Sequence, residues 1–122
     1  MQIKSNRAKH TAYIHGYVLF GSFAPVFNDA GREIEKKFLE KGKLAFNYSH
    51  IRDRDLLIAD ANSSELDLKI ECPYNPNFDF DTNYLVKVRD EFYQVNRYDI
   101  SNDQTKMFFY LRKAGIDNVS VE

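Results

Sequence analysis

Few residues in this sequence have side chains and spacing suited to catalysis. Three histidines are present, but they have no metal-ligand spacing and no HExxH helix contains them: His10, His15 and His50. The segment Gly21–Phe23 is not a nucleophile elbow, and the chain has no phosphate-binding GxxxxGK(S/T) or GxGxxG motif. We therefore predict that the protein is not an enzyme and that it has no catalytic residue, no metal and no cofactor.

Cys72 is the only cysteine, which excludes an internal disulfide and a multi-cysteine zinc site. It has the inward parity of an alternating segment and directly precedes Pro73. A reactive thiol needs an exposed, electropositive setting. The pattern therefore predicts a small buried side chain in place of a nucleophile.

Alternating charges at Arg52–Asp55 are the most informative polar feature, because they lie where a strand pattern changes to a helix pattern. Two interpretations stay open. The charges either fix the helix through pairs within the chain, or form a complementary patch against an adjacent subunit. In the second case charge would set register and specificity more than affinity.

The totals limit the class of protein. With 122 residues the chain is long enough for one domain with its own core. Its 17 Lys and Arg balance 18 Asp and Glu, which argues against a dedicated nucleic-acid binder but leaves room for a local basic patch. No signal peptide or membrane span is visible, so we expect a soluble protein made in a cytoplasm, with no membrane partner.

The elements that would position these residues are mostly strands. Asn83–Lys113 reads as three short strands joined by two polar turns, with a bulge expected between Val95 and Tyr98. Its last strand, Met107–Leu111, is apolar on both faces. Either the sheet curls and its outer face is covered, or Phe108 and Tyr110 await a partner protein.

The rest of the chain gives further strands and one helix. Thr11–Phe20 is an aromatic strand. After it, Ser22–Asn28 reads as a long loop, and together with the turn signal at Asn28–Gly31 it indicates a long, irregular hairpin between two strands. Arg32–Gly42 is either a short amphipathic helix or a charged outer strand. The remaining predictions are strands at Lys43–His50 and Glu65–Cys72, and a helix with Arg54, Leu57, Ile58 and Ala61 on one face.

Together these patterns predict a mainly β fold. We expect a small antiparallel β-barrel of about six strands, with one short α-helix near 52–61 and long loops. The predicted organisation is a flexible N-terminal arm at 1–10, a single β-barrel domain at 11–113 and a flexible C-terminal tail at 114–122.

Across Lys41–Lys113 the sequence resembles a known family. The matching stretches are GKLAFNYSHIRDRDLLIADA, LDLKIECPYNP, YLVKVRDEFYQVNRYD and MFFYLRK. In this order they resemble the head-closure, or head–tail connector, proteins of siphophages that infect Gram-positive bacteria, also labelled head-tail joining or minor capsid proteins. The aromatic, glycine-interrupted strand before residue 21 departs from that pattern.

The resemblance implies a virion structural protein at the neck, the head–tail junction, reached from the host cytoplasm during assembly. Such a protein joins a ring below the portal and its adaptor, closes the DNA channel and receives the tail. The implied partners are the portal and adaptor connector proteins, the tail terminator or other tail proteins, and further copies of the chain. Non-specific contact with packaged DNA is also implied. The family is generally monomeric until the portal complex templates the ring.

Two other functions stay open. One is a tail-terminator-type ring protein. The other is a barrel-type single-stranded nucleic-acid-binding module, in which aromatic side chains stack on bases beside basic ones: Tyr84, Phe92, Tyr93 and Tyr98 beside Lys87, Arg89 and Arg97. For the connector, the predicted subunit or partner contacts are Phe23, Phe27, Arg52, Arg54, Asp55, Tyr74, Phe78, Phe80, Phe108 and Tyr110.

Overall fold

The computed structural model describes residues 12–78, 80–81, 83–115 and 119–121. One helix, α1, spans Asp53–Ala61. The strands are β1 Tyr17–Phe27, β2 Glu33–Ala45, β3 Asn47–Ser49, β4 Leu68–Pro73, β5 Leu85–Val88, β6 Glu91–Ile100, β7 Lys106–Lys113 and β8 Val119–Val121. The predicted mainly β fold with one short helix is confirmed.

All strands belong to one sheet, in the order β3-β4-β7-β6-β5-β1-β2-β8. Neighbours are antiparallel except β2 and β8, which run parallel. Only Phe46 separates β2, which pairs with β1, from β3, which pairs with β4. Because this nearly continuous segment pairs at both ends of the strand order, the sheet curls into a half-barrel, a more open form of the predicted barrel, with eight strands where about six were predicted.

The core fills the inside of this curl. Strands β1, β2, β4, β5, β6 and β7 contribute apolar side chains to it, and the largest fully buried side chains are Phe20, Phe46, Phe109, Ile70, Leu111, Val18, Val86 and Cys72. Burial of Cys72 confirms its predicted role. Phe78 and Phe80, from the loop between β4 and β5, pack against Phe20 with ring centroids 5.1 and 5.8 Å away. Full burial of a Phe ring contributes about 1.5–3 kcal/mol, and these two rings, which are partly buried, contribute less.

The strand with two apolar faces, β7, uses both within the chain. Met107, Phe109 and Leu111 lie in the core. On the other face Tyr110 is buried beneath the side chains of Lys69 and Arg97, and Phe108 is half-buried. The chain therefore covers the outer face of β7 itself at Tyr110, whereas Phe108 retains some exposed surface.

The region after residue 20 differs from expectation. Ser22–Asn28 is not a loop, because β1 continues through it to Phe27 and pairs with β2 along its length, with bulges after Phe20 and Val26. Gly21 permits this, since a Cβ there would overlap the backbone carbonyl of Leu39. The open choice at Arg32–Gly42 resolves to a strand, β2.

Smaller features agree with the sequence in most places. A register shift lies between Val95 and Arg97, as predicted. The turn before β7 is closed by Asp103, whose Oδ1 accepts hydrogen bonds from the hydroxyls of Ser101 and Thr105 at 2.7 Å. Residues 119–121 of the expected flexible tail form β8. The expected arm at 1–10 lies outside the described residues, as do 116–118 and 122 of the tail.

Candidate functional site

Helix α1 is fixed to the outer face of the sheet by a buried carboxylate, Asp55, which is 6% exposed. Its Oδ2 accepts hydrogen bonds from the backbone N–H of Arg52 at 3.0 Å and from Lys69 Nζ at 2.9 Å. Arg97 Nη2 lies 3.8 Å from the other carboxylate oxygen. Of the two interpretations of the charge alternation, pairing within the chain accounts for Asp55.

The face of this helix that turns toward the sheet is not the one that the sequence pattern predicted. Leu57 is 68% exposed and Leu56 is also exposed, whereas Asp55 points at the sheet. The reason is the outward face of β4, where Lys69 is 6% exposed and needs a carboxylate partner. The ion pair, not a hydrophobic stripe, decides the rotation of the helix.

The electrostatics of Asp55 follow from these contacts. Burial raises its pKa, but the amide of Arg52 and the ammonium of Lys69, helped by Arg97, outweigh burial and hold the pKa below its ordinary value. Lys69 Nζ also lies 5.1 Å from the centre of the Tyr110 ring, and Arg97 Cζ lies 3.6 Å from it. The carboxylate thus stays charged and holds two cations against an aromatic floor.

An open cleft of about 620 Å³, here called the helix cleft, lies between the start of α1 and strands β4, β6 and β7. Its lining includes four cationic side chains and two carboxylates: Arg52, Arg54, Lys69, Arg97, Asp55 and Asp99. Ile58, Ile100 and Phe108 supply apolar surface, and Ser49, Ser101 and Asn102 supply polar groups. The cleft is a basic surface with apolar patches.

A second surface is the hairpin arm, which we define as Ser22–Phe27 of β1, Glu33–Glu40 of β2 and the turn between them. Phe23 and Phe38 anchor its base on Phe92 of β6, with ring centroids 5.0 and 5.3 Å away. Near its tip Phe27 is 57% exposed and Ile34 is 56% exposed. The arm therefore carries large apolar side chains that nothing in the described part of the chain covers.

The two edges of the hairpin arm differ in their strand pairing. On one side β8 pairs with Lys36–Phe38 of β2. On the other side β1 pairs with β5 only as far as Gly21, so Ser22–Phe27 has no second strand beside it among the described residues. Pro25, which has no N–H to donate, lies in this stretch, as expected for an edge. The arm is thus open to a neighbour along β1.

The predicted contact residues fall into three groups. Phe23 and Phe27 lie on the hairpin arm, and Arg52, Arg54 and Phe108 line the helix cleft. Three half-buried aromatic residues pack against the core from the loop after β4: Tyr74, Phe78 and Phe80. These positions remain predicted contacts.

Two predicted contacts are corrected by their burial. Asp55 and Tyr110 are each 6% exposed, because the carboxylate is enclosed by its cations and the ring is enclosed by Lys69 and Arg97. Neither presents a surface to a partner. The sequence pattern did not indicate the roles of Lys69 and Ile34. Lys69 has outward parity on its strand but is covered by α1. Ile34 is an isolated apolar residue among charged ones.

The aromatic platform proposed for nucleic-acid stacking is occupied by internal packing. Tyr93 is buried, and Phe92 packs against Phe23 and Phe38. Tyr84 is half-buried. Tyr98, at 40% exposed, is the most accessible of the four. A row of exposed rings on which successive bases could stack is absent from these positions.

Other chemistry finds little support in the described ranges. Within residues 12–78, 80–81 and 83–115, no group of three His, Cys, Asp or Glu side chains could hold a metal ion. Burial raises the pKa of the Cys72 thiol, which disfavours the reactive thiolate. Among the described elements, α1 included, no helix has the length and apolar character to span a bilayer.

Comparison with solved structures gives a fold likeness. Protein SF1141 from Shigella flexneri 2a, whose structure was determined in solution, aligns with a TM-score of 0.54 and 11% identity over 82% of this chain and 92% of that one. A chain from the virion of a native gene transfer agent particle aligns with a TM-score of 0.47 and 8% identity, over 80% and 91%. No protein-family model and no curated protein sequence matches. At such identities the first likeness concerns the fold alone, and the second is too weak to argue from.

Proposed function

We propose that this chain is a phage virion structural protein of the head-closure or head–tail connector type. The observation that carries the proposal is the hairpin arm, whose exposed Phe27 and Ile34 have no covering partner in the described part of the chain. An isolated soluble domain gains nothing from large apolar side chains at the tip of a projection, whereas a subunit of an assembly uses them as anchors. The resemblance across Lys41–Lys113 supplies the kind of assembly.

The fold suits this role because the half-barrel forms the folded body, whereas separate surfaces outside it are available for contacts. The core of the half-barrel is buried within the chain. The hairpin arm and the helix cleft lie outside this core. In the proposed assembly, copies of the chain associate into a ring. One side of the ring faces the portal and adaptor, and the other faces the tail. Weak single contacts suffice in a ring, because each subunit is held by several at once.

In this role the chain also helps to retain the packaged DNA. A ring at the neck that closes the channel retains packaged DNA until the tail attaches. Any contact with that DNA would be non-specific and with its phosphates, through basic side chains. Its place would be the neck of the particle, after synthesis in the host cytoplasm.

The proposal is tested by electron microscopy of the particle that is produced by the phage or prophage whose genome encodes this chain. We expect density for the half-barrel in a ring between head and tail. Without the chain, assembly should yield full-length tails that are not joined to heads, and heads that have lost their DNA. A particle with normal infectivity lacking the chain, or density for it on the capsid shell or tail tip, would refute the connector role. Density on the tail side of the neck would favour a tail terminator.

A substitution pair adds a sharper test. Phe27→Asp with Ile34→Asp places charge on the exposed tip and should abolish tail joining while leaving the fold intact. The matched control is Asp90→Asn with Lys87→Gln, which changes polar residues on β5 and its turn. Equal loss of joining in both variants would show that the arm has no special role. Unchanged thermal unfolding of the purified variants separates assembly from stability.

A further inference from the structure

The helix cleft has an excess of positive charge after its internal pairs are counted. Four cations and two carboxylates line it, which leaves a formal charge of +2. Asp55 is committed to Lys69 and the backbone of Arg52, and Asp99 Oδ2 is committed to Arg97 Nη1. Arg52 and Arg54 are exposed at the rim and form no ion pair with any described residue. The positive charge of the cleft therefore comes from the two rim guanidinium groups, which lie above a floor whose cations, Lys69 and Arg97, are already paired.

The tip of the hairpin arm, Phe27–Glu35, has the opposite charge. It carries three carboxylates and one cation, for a formal charge of −2: Asp29, Glu33, Glu35 and Arg32. None of the three carboxylates is in an ion pair within the described part of the chain. The turn is shaped by Asn28, whose Oδ1 accepts hydrogen bonds from the N–H groups of Ala30 and Arg32 at 3.0 Å. An acidic tip is thus held in a defined form.

Apolar groups accompany the charge on both surfaces. Phe27 and Ile34 are exposed at the tip. In the cleft, Ile100 is exposed, and Ile58 and Phe108 are half-buried. The tip and the cleft therefore match in charge and each offers apolar surface to the other. No residue of the hairpin arm lines the cleft of its own chain, so within one molecule the two surfaces are not used on each other.

We propose that the acidic tip of one copy docks in the helix cleft of a second copy. This inference deepens the ring association in the proposed function and rests on it. The rim arginines, Arg52 and Arg54, would pair with Glu33 and Glu35 and set the orientation, while Phe27 and Ile34 supply apolar burial. Because two different surfaces meet, the contact is heterologous, and repetition leads from copy to copy until a ring closes.

Disulfide trapping between two purified single-site variants tests this contact directly. Asp29→Cys places a thiol at the tip, and Asn102→Cys places one at the cleft; both positions are exposed. Native Cys72 is buried and does not compete. In a glutathione redox buffer at high protein concentration, we expect heterodimers of the two variants. The matched control mixes Asn102→Cys with Asp90→Cys, another exposed turn position, and should give about tenfold less.

Charge reversal then separates recognition from chance collision. Adding Glu33→Lys and Glu35→Lys to the tip variant should lower the heterodimer yield about tenfold, and adding Arg52→Glu and Arg54→Glu to the cleft variant should restore it. A yield equal to the Asp90 control would overturn the inference, and so would indifference to reversal. Preferential homodimers of Asp29→Cys would also overturn it, because they would indicate tip-to-tip contact.

The outcome is independent of the particle experiment. Trapping in purified protein reports only whether tip and cleft meet. A positive result with the chain missing from the neck would keep the contact and refute the connector role. A ring seen at the neck with its tips directed at another protein would keep the connector role and refute this contact.

Discussion

Replacement of Asp55 by alanine should destabilise the protein more than any other substitution of a charged residue on α1. The change leaves Lys69, 6% exposed, without its carboxylate, and removal of one partner from a buried ion pair costs about 3–5 kcal/mol. Two features favour the lower end. The cleft beside the pair is open to water, and the aromatic rings of Phe108 and Tyr110 still face the ammonium. We expect a loss of about 3 kcal/mol in the free energy of unfolding.

Urea unfolding followed by circular dichroism and tyrosine fluorescence measures this loss, since the chain contains no tryptophan. With a slope of about 2 kcal/mol per molar urea, the midpoint should fall by about 1.5 M. The control on the same helix is Asp53→Ala, an exposed carboxylate in the first turn, which should cost less than about 1 kcal/mol.

A double-mutant cycle shows whether the ion pair is responsible. Lys69→Met removes the buried charge and keeps much of the side-chain volume. In Asp55→Ala with Lys69→Met no uncompensated ammonium remains, so the double variant should be more stable than the sum of the two losses predicts, by at least about 1 kcal/mol. Strict additivity would refute the reasoning, as would a loss for Asp55→Ala no larger than that for Asp53→Ala.

Three further predictions use the same protein. The folded pKa of Asp55 is lowered, so its contribution is complete above its unfolded pKa of about 3.9 and is lost as pH falls through the folded value. Urea midpoints of the wild type and Asp55→Ala should therefore converge in acid, and a constant gap down to the lowest measurable pH would contradict this. Gly21→Ala forces a Cβ against the carbonyl oxygen of Leu39 and should cost about 2 kcal/mol or more by the same assay, whereas Gly31→Ala, where a Cβ meets nothing, should cost about 1 kcal/mol; equal losses would show that β2 moves aside. The Cys72 thiol, buried and with a raised pKa, should react with a thiol reagent only as fast as the chain unfolds, and rapid labelling in native buffer would show that the core opens locally.

Strand periodicity is a sound guide on β4 and β6. Leu68, Ile70 and Cys72 follow that pattern on β4, and the bulge after Val95 was visible as a change in parity. The pattern was misleading at Ser22–Asn28, where Gly21 and Pro25 resemble a break in structure. Both are tolerated there because β1 is paired on one side only beyond Gly21.

The candidate surfaces were harder to predict because they depend on contacts between distant residues. The alternation at Arg52–Asp55 correctly marked the start of the helix, but not which charge turns inward. That depends on Lys69, fourteen residues away, and on Arg97 in another strand. Likewise, the exposure of Ile34 follows from the position of the hairpin arm outside the core, which no local pattern reports.

The position of β7 in the sheet has a consequence for how the chain folds. Lys106–Lys113 lies between β4 and β6, so until this late segment is made, the sheet has a gap and both neighbours have bare edges. The β1–β2 hairpin is local and can form early, but pairing of Val18 with Val88 must wait for most of the chain. The core should therefore be completed in one step, in which β7 fills the gap between β4 and β6.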